Sequence, residues 1–150
     1  MADKFIILET NVDDCNPEIL SYLMEKAMDE GALDIHIIPV IMKKGRAGHL
    51  IRVLASESEK EKLAELLMRE TATLGVRVIG VKERFEAARE IRKVRIKISG
   101  REEEVRVKKS EFGIKAESDD IKRLAKKYNI PYRKVAEKVD GKCKKSICGI

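Results

Sequence analysis

Apolar and polar positions along this chain follow two rhythms that alternate in blocks. Phe5-Ile6-Ile7-Leu8 is a short continuous apolar run, which predicts a buried strand over Lys4–Thr10. Asn16 and Pro17 then supply a good N-cap and first helical residue. Ile19, Leu20, Leu23, Met24, Ala27 and Met28 fall on one helical stripe, and Gly31 is placed to end it. Leu33–Met42 is rich in Ile and Val and predicts a second strand. A turn at Lys43–Gly48 leads to a third strand over His49–Ala55. Ser58, with Glu61 three residues on, has the form of a capping box. Leu63, Leu66, Leu67 and Leu74 would face inward from that second helix, and Gly75 would stop it. Val76–Arg84 alternates and predicts a fourth strand.

The order β-α-β-β-α-β over residues 4–84 predicts an α+β fold of the ferredoxin-like type: a four-stranded antiparallel sheet with two helices on one face. Beyond it, Ile91–Ile98 and Glu103–Lys109 alternate strictly around Gly100-Arg101, which predicts a hairpin. Phe112–Ala116 suits a short strand. Ser118 would cap a third helix carrying Ile121, Leu124 and Ala125. Asn129-Ile130-Pro131 breaks it, and Tyr132–Val139 makes a fourth. The Lys-rich stretch Gly141–Ile150 reads as a frayed tail. The expected organisation is a domain over 1–84, with the hairpin and helices of 85–150 packed as one unit with it.

Composition narrows the function classes. Charged residues make up 39% of the 150 residues and hydrophobic ones 43%, so a core is feasible on an unusually charged frame. Gln is absent and Asn occurs three times, a pattern resembling thermophile proteins. The net charge of +6 favours anionic partners such as nucleotides or nucleic acid. Aromatics at 4% argue against a base-stacking surface for single strands. Cys15, Cys143 and Cys148 are an odd set, and the start Met-Ala-Asp-Lys lacks a signal-peptide pattern, so a cytoplasmic setting is expected. No apolar run reaches the ~18 residues that a membrane span needs.

The densest chemistry lies in Glu9-Thr10-Asn11-Val12-Asp13-Asp14-Cys15-Asn16-Pro17-Glu18. Four acidic side chains and two amides fall where a strand hands over to a helix, which suits a hard cation. The plainer reading is a helix start with solvated carboxylates before it. Topology adds to this. If strand 1 runs upward, the acidic loop, the Lys43–Gly48 turn and the Arg69–Arg77 junction all come to one rim. The second segment brings Lys43, Lys44 and Arg46 with two glycines, and the third brings Arg69, Thr71, Thr73 and Arg77. Carboxylates beside cations complement a divalent metal on a polyphosphate. On this reading Asp13 and Asp14 coordinate the metal, with Glu9 or Asn11 assisting. Lys43, Lys44, Arg46, Arg69 and Arg77 bind phosphates, and Thr71 and Thr73 orient them. His36 and His49 are expected on strands as structural or surface residues.

The same segments carry a family resemblance. Glu9–Asp14 with Asn16-Pro17-Glu18, Gly31-Ala32-Leu33-Asp34 with Pro39, Met42-Lys43-Lys44, and Arg69-Glu70-Thr71 with Thr73–Arg77 together resemble the C-terminal domain of the LarC family. Ser118–Val139 also resembles that domain's last helical segment. LarC proteins are the nickel-insertion proteins for the nickel-pincer nucleotide cofactor of lactate racemase. The resemblance implies a CTP-dependent cyclometallase acting on a pyridinium bisthiocarboxylate mononucleotide, with nickel as the metal inserted and CTP consumed to CMP and pyrophosphate. It implies that this domain binds CTP with Mg²⁺ or Mn²⁺ and self-associates as a homo-oligomer. The family's large N-terminal domain has no counterpart in these residues, so a separate chain is expected to supply it. Cys15 stands where Met is expected, and Ala47 where Pro is expected. Two other classes remain in view: a nucleic-acid-binding protein with a helix-turn-helix over Ser118–Val139, whose cations would include Lys122, Arg123, Lys126, Lys127, Arg133 and Lys134, and a non-catalytic ligand-binding regulatory domain.

Overall fold

The computed structural model describes residues 4–147, with side chains through Lys144. The chain divides into two compact units, Met1–Arg84 and Phe85–Ile150. In the first unit the elements are β1 (Phe5–Val12), α1 (Pro17–Asp29), β2 (Asp34–Ile41), β3 (Ala47–Ser56), α2 (Lys60–Thr71) and β4 (Arg77–Val81). The sheet order is β2-β3-β1-β4, and every neighbouring pair is antiparallel. This is the ferredoxin-like arrangement expected from the sequence.

The α1 ends follow from local chemistry. Asn16 accepts the Glu18 N–H at 2.8 Å, and Pro17 occupies the first turn, where it sacrifices no helical bond. At the other end Gly31 adopts φ +101°. Its N–H reaches Met28 O, and the Ala32 N–H reaches Ala27 O, the paired closure of a Schellman motif.

β1 alternates strictly, with Ile6, Leu8, Thr10 and Val12 buried and Phe5, Ile7, Glu9 and Asn11 half-buried on the opposite face. Ile6, Leu8 and Val12 pack with Leu20, Leu23, Ala27, Ile51, Val53, Leu63, Leu66 and Leu67 into one core under the helices. Each fully buried Leu or Ile contributes about 1.5–3 kcal/mol.

Local details differ from the expectation at several ends. Ser58 does not cap α2. It lies in a 3₁₀ turn, Glu57–Glu59, its hydroxyl bonds Ser56, and α2 starts after Glu59 with no side-chain cap. α2 ends at Ala72, which takes a left-handed φ of 54°, before Gly75 is reached. Leu74 therefore leaves the helix and stands fully exposed rather than facing inward.

The second unit contains β5 (Arg89–Ile98), β6 (Arg101–Ser110) and β7 (Gly113–Ala116) as a meander, followed by α3 (Ser118–Tyr128) and α4 (Tyr132–Ile147). Ile96, Ile98, Val105, Val107, Ile121, Leu124, Val135, Val139 and Cys143 form its own core. Ser118 is the first helical residue and Glu117 holds the cap position, without a side-chain bond. The Lys-rich end is not frayed through Ile147: α4 continues that far because Cys143 extends the buried stripe of Val135 and Val139. Cys148 lies outside the described residues. Among the described residues no helix is long and apolar enough to cross a membrane.

Candidate functional site

Connectivity brings three segments of the first unit to one rim. β1 ends there at Val12, and β2 ends there at Ile41. β3 and β4 begin there, with His49 opposite Val12 and Arg77 opposite Glu9. The connection between β2 and β3 is a tight 3₁₀ turn, Lys43–Gly45, closed by Met42 N–H to Arg46 O at 2.7 Å and Gly45 N–H to Met42 O at 3.1 Å. Lys44 sits at φ 64°, and Gly45 follows at φ 72°. A β-carbon in the left-handed region costs energy that Gly would avoid, so the side chain of Lys44 is retained at a strained position.

The turn reaches the acidic loop directly. Arg46 Nη1 donates to Asp13 Oδ2 at 2.9 Å. Asp14 is exposed beside it. Cys15 is half-buried against the first core. Its thiol is pushed up by burial and then by the Asp14 carboxylate, so it is a poor thiolate at neutral pH.

The other expected site residues are placed differently. Glu9 and Asn11 point to the sheet face opposite the helices. Glu9 Oε1 accepts from Arg77 Nε at 3.1 Å, and Glu9 Oε2 lies 3.1 Å from Arg52 Nε. Arg77 Nη2 also donates to Asn11 Oδ1 at 2.5 Å. Glu9, Asn11 and Arg77 thus form one ion-pair cluster with Arg52, a residue that sequence reasoning missed although the antiparallel register sets it opposite Glu9. Thr71 is buried, and its hydroxyl donates to Leu67 O at 2.7 Å. The Thr73 hydroxyl lies 2.7 Å from that of Thr10, and Thr10 donates to Gly75 O at 2.8 Å. These threonines tie the α2–β4 junction to β1. Arg69 is exposed and pairs with its neighbour Glu70 at 3.2 Å. Asp13, Asp14, Lys43, Lys44 and Arg46 face solvent at the rim, and Arg69 and Arg77 are exposed there as well, each paired with a glutamate.

A family model described as nickel insertion protein matches residues 1–136. The chain belongs to the nickel insertion protein family. A relative from Acetivibrio thermocellus named pyridinium-3,5-bisthiocarboxylic acid mononucleotide nickel insertion protein is 40% identical over 142 residues, covering 92% of this chain and 34% of that protein. One from Dictyoglomus thermophilum with a nickel-insertion name is 42% identical over 144 residues, covering 93% and 36%. Among solved structures, the apo C-terminal domain of a cyclometallase involved in the synthesis of the NPN cofactor of lactate racemase superposes with a TM-score of 0.78 at 28% identity. That match covers 95% of this chain and 98% of the other. The chain spans about a third of the length of the curated relatives it matches.

For a member of the nickel insertion protein family, the metal chemistry of the described residues is sparse. Among them no three His, Cys, Asp or Glu side chains converge to hold a metal ion by themselves. Mg²⁺ and Mn²⁺ need less, since one or two carboxylates with phosphate oxygens and water complete an octahedron. The rim fits that donor set better than a closed nickel cage. His36 lies 3.5 Å from Asp34 on the exposed strand β2, away from the acidic loop.

Most of the cations named on the helices of the second unit sit in exposed pairs within the unit. Lys127 pairs with Glu103 at 2.6 Å, Arg123 donates to Glu104 O at 3.1 Å, and Lys122 pairs with Asp119. Arg133 and Lys134 both pair with Glu137. Five of the six cations named for a helix-turn-helix therefore face acidic or carbonyl partners within the unit.

Proposed function

We propose that this chain is the metal–CTP-binding part of a nickel-insertion cyclometallase, which matures a pyridinium bisthiocarboxylate mononucleotide into a nickel-containing cofactor. The observation that carries the reading is the Arg46–Asp13 contact. It sets the cationic turn against the acidic loop on one rim of a chain that belongs to the nickel insertion family. Asp13 and Asp14 would hold Mg²⁺ or Mn²⁺, which supplies charge neutralisation at the phosphates. Lys43 and Lys44 bind the polyphosphate as point charges. Arg46, held by Asp13 in the free protein, is within reach to turn to a phosphate oxygen when the carboxylate takes a metal. Arg69, exposed and paired with Glu70, is a further phosphate contact.

In this reading the chain accelerates phosphate chemistry by positioning and electrostatic stabilisation rather than by a nucleophile. Nickel is substrate. The pyridinium ring, nickel delivery and the remaining machinery are handled with a region equivalent to the rest of the longer relatives, and the CTP-binding unit self-associates. The cytoplasm is the setting that fits a CTP-consuming step.

The test is thermal stability with CTP, ATP, GTP and UTP, each with and without Mg²⁺. CTP with Mg²⁺ should give the largest upward shift. Absence of any metal-dependent nucleotide stabilisation refutes the reading.

A further inference from the structure

The charge of the chain is unevenly held. Residues 85–150 carry twenty Lys and Arg against eleven Asp and Glu, while residues 1–84 carry twelve against fifteen. The surplus of cations, and the attraction for anionic ligands that goes with it, belongs to the second unit. Within that unit a cleft of about 420 Å³ lies between β5 and the middle of α4. The volume falls in the range of small-molecule sites, about 300–1,000 Å³. Arg95 and Lys97 line the cleft from β5, and Lys138 and Lys142 line it from α4. Among the described residues, the side chains of Arg95, Lys97 and Lys138 have no hydrogen-bond or ion-pair partner.

Backbone donors stand at the same place. Ser99 and Gly100 have φ of 50° and 78°, the two positive values of a type I′ turn, so Ile98 and Arg101 form a hydrogen-bonded pair across the hairpin. Bonded and unbonded pairs alternate along an antiparallel ladder. Ile96 and Val94 are therefore bonded to β6, and the N–H groups of Arg95 and Lys97 point to the outer edge of β5. No strand pairs with that edge. The same alternation turns the Arg106 N–H away from β5, where it donates to Asp120.

Cations on an edge strand also guard it against pairing with another strand. That role accounts for Arg95 and Lys97. It does not account for the cations of α4, nor for Gly141, which lines the cleft between them. Glycine is a poor residue for a helix interior. Neither packing nor backbone demands it here, since a β-carbon at Gly141 would meet no atom within 4 Å and its φ is not positive. Its effect is to keep the cleft open. Two carboxylates also line the site. Glu137 already faces Arg133 and Lys134, at 3.4 and 3.5 Å. Glu102 stands opposite Lys97 across the hairpin. A carboxylate repels a bare phosphate but accepts from a hydroxyl, so the set suits a phosphate that carries hydroxyl groups.

We propose that this cleft is a second anion site, separate from the rim, which takes a sugar phosphate. The phosphate monoester lies on Arg95, Lys97 and Lys138 beside the free edge N–H groups, and a sugar hydroxyl donates to Glu102.

Titration calorimetry of the full chain with ribose 5-phosphate, at low salt and without divalent metal, tests this. One molecule should bind per chain, more tightly than inorganic phosphate. Arg95→Gln with Lys138→Gln should weaken binding by about tenfold or more, the scale of one charge-assisted hydrogen bond. Gly141→Gln fills the cleft with a better helix former. It should raise the melting temperature and weaken ribose 5-phosphate to a similar degree. Glu102→Ala should lower the preference for ribose 5-phosphate over inorganic phosphate by about tenfold. Lys43→Gln with Lys44→Gln, at the rim, should leave binding unchanged. Failure of ribose 5-phosphate to bind overturns the proposal, as does wild-type binding by G141Q or by the R95Q/K138Q variant, or an unchanged preference in E102A. Loss of binding in the rim variant would move the ligand to the rim and overturn it too. Duplex RNA is the last probe: binding of RNA without ribose 5-phosphate would make the cations an extended surface for a polyanion, and the sugar-phosphate site would fall.

Discussion

Arg46 Nη1 donates to Asp13 Oδ2 at 2.9 Å, joining two loops that lie 33 residues apart in the chain. In the free protein the cation expected at a phosphate and the carboxylate expected at a metal satisfy each other. Such a pair at the surface is worth at most about 1 kcal/mol. It is therefore easily exchanged when a metal and a phosphate arrive together, and it disfavours either one arriving alone.

That exchange predicts opposite effects of one substitution. Arg46→Ala should change stability by less than about 1 kcal/mol. Freed of its partner, Asp13 should bind Mn²⁺ alone more tightly, by roughly two- to fivefold, the equivalent of that same interaction. Binding of Mn²⁺–CTP should weaken. Titration calorimetry with each ligand checks both signs, and a variant that loses both affinities equally would argue against the exchange.

Removing the carboxylates tests the metal assignment. Asp13→Asn with Asp14→Asn should abolish the Mg²⁺-dependent part of CTP stabilisation. The fold should stay intact, since Asp14 is exposed and Asp13 makes a surface pair. Thermal shifts with and without Mg²⁺ read this directly, and unchanged metal dependence in the double variant sinks the assignment.

Thr71 should behave as a structural residue. Its hydroxyl is buried, donates to Leu67 O and accepts the Thr73 N–H at 3.3 Å. Thr71→Val should cost about 1 kcal/mol in chemical denaturation through the lost hydrogen bonds. The Kd for Mg²⁺–CTP, measured well below the unfolding transition, should stay within about twofold, a difference small beside the tenfold that 1.4 kcal/mol represents. A tenfold loss of affinity would return Thr71 to the ligand.

These cases mark what was legible in the sequence. The shared rim was, because a βαββαβ chain allows the ends of β1, β2 and α2 only one side of the sheet. The partners within it were not. Glu9 meets Arg77 and Arg52 through strand register, and alternation along β1 alone does not say which residues stand opposite. Leu74 was misplaced because the helix ends at Ala72 in a left-handed conformation, where Gly75 was the expected stop, and Thr71 because its hydroxyl turns inward to Leu67 O. Ala has no sequence signature for that role, so a stop one turn early went unread.

In the second unit acid sensitivity should centre on Asp120. Its carboxylate accepts from the Arg106 backbone N–H at 2.8 Å, from Nε at 2.9 Å and from Nη2 at 3.0 Å. The Arg106 side-chain hydrogen bonds hold Asp120 below its ordinary value of 3.8. Glu103 is likewise lowered, first by Lys127 and then by Tyr128. A depressed folded-state carboxylate adds stability that is present above its unfolded pKa and lost as pH falls through the folded one. Unit stability should thus be flat with respect to these groups near neutrality and fall below about pH 4, the range of the unperturbed carboxylates. Asp120→Asn should cost about 2 kcal/mol at pH 7, the scale of hydrogen bonds to a charged group. It should also unfold with a shallower acid slope. Urea denaturation from pH 7 to pH 3 provides the comparison, and parallel slopes would show that Asp120 is not the acid-sensitive group.

Lys44 gives the sharpest separation of stability from function. At φ 64° and ψ 19° it holds a conformation that glycine adopts without strain, and its side chain is exposed. Were the turn merely a connection, glycine would serve better there. Lys44→Gly removes a β-carbon clash of about 1 kcal/mol. It also loosens the unfolded chain by about 0.4–1 kcal/mol. The net stability should therefore hold steady or rise by less than about 1 kcal/mol. The affinity for Mg²⁺–CTP should nevertheless fall, and its dependence on salt should flatten as one phosphate contact is lost. Equilibrium denaturation and salt-dependent calorimetry on the same variant measure the two effects. A Lys44→Gly protein that keeps both its affinity and its salt dependence would mean that the strained lysine serves the turn alone and that the phosphates are held elsewhere.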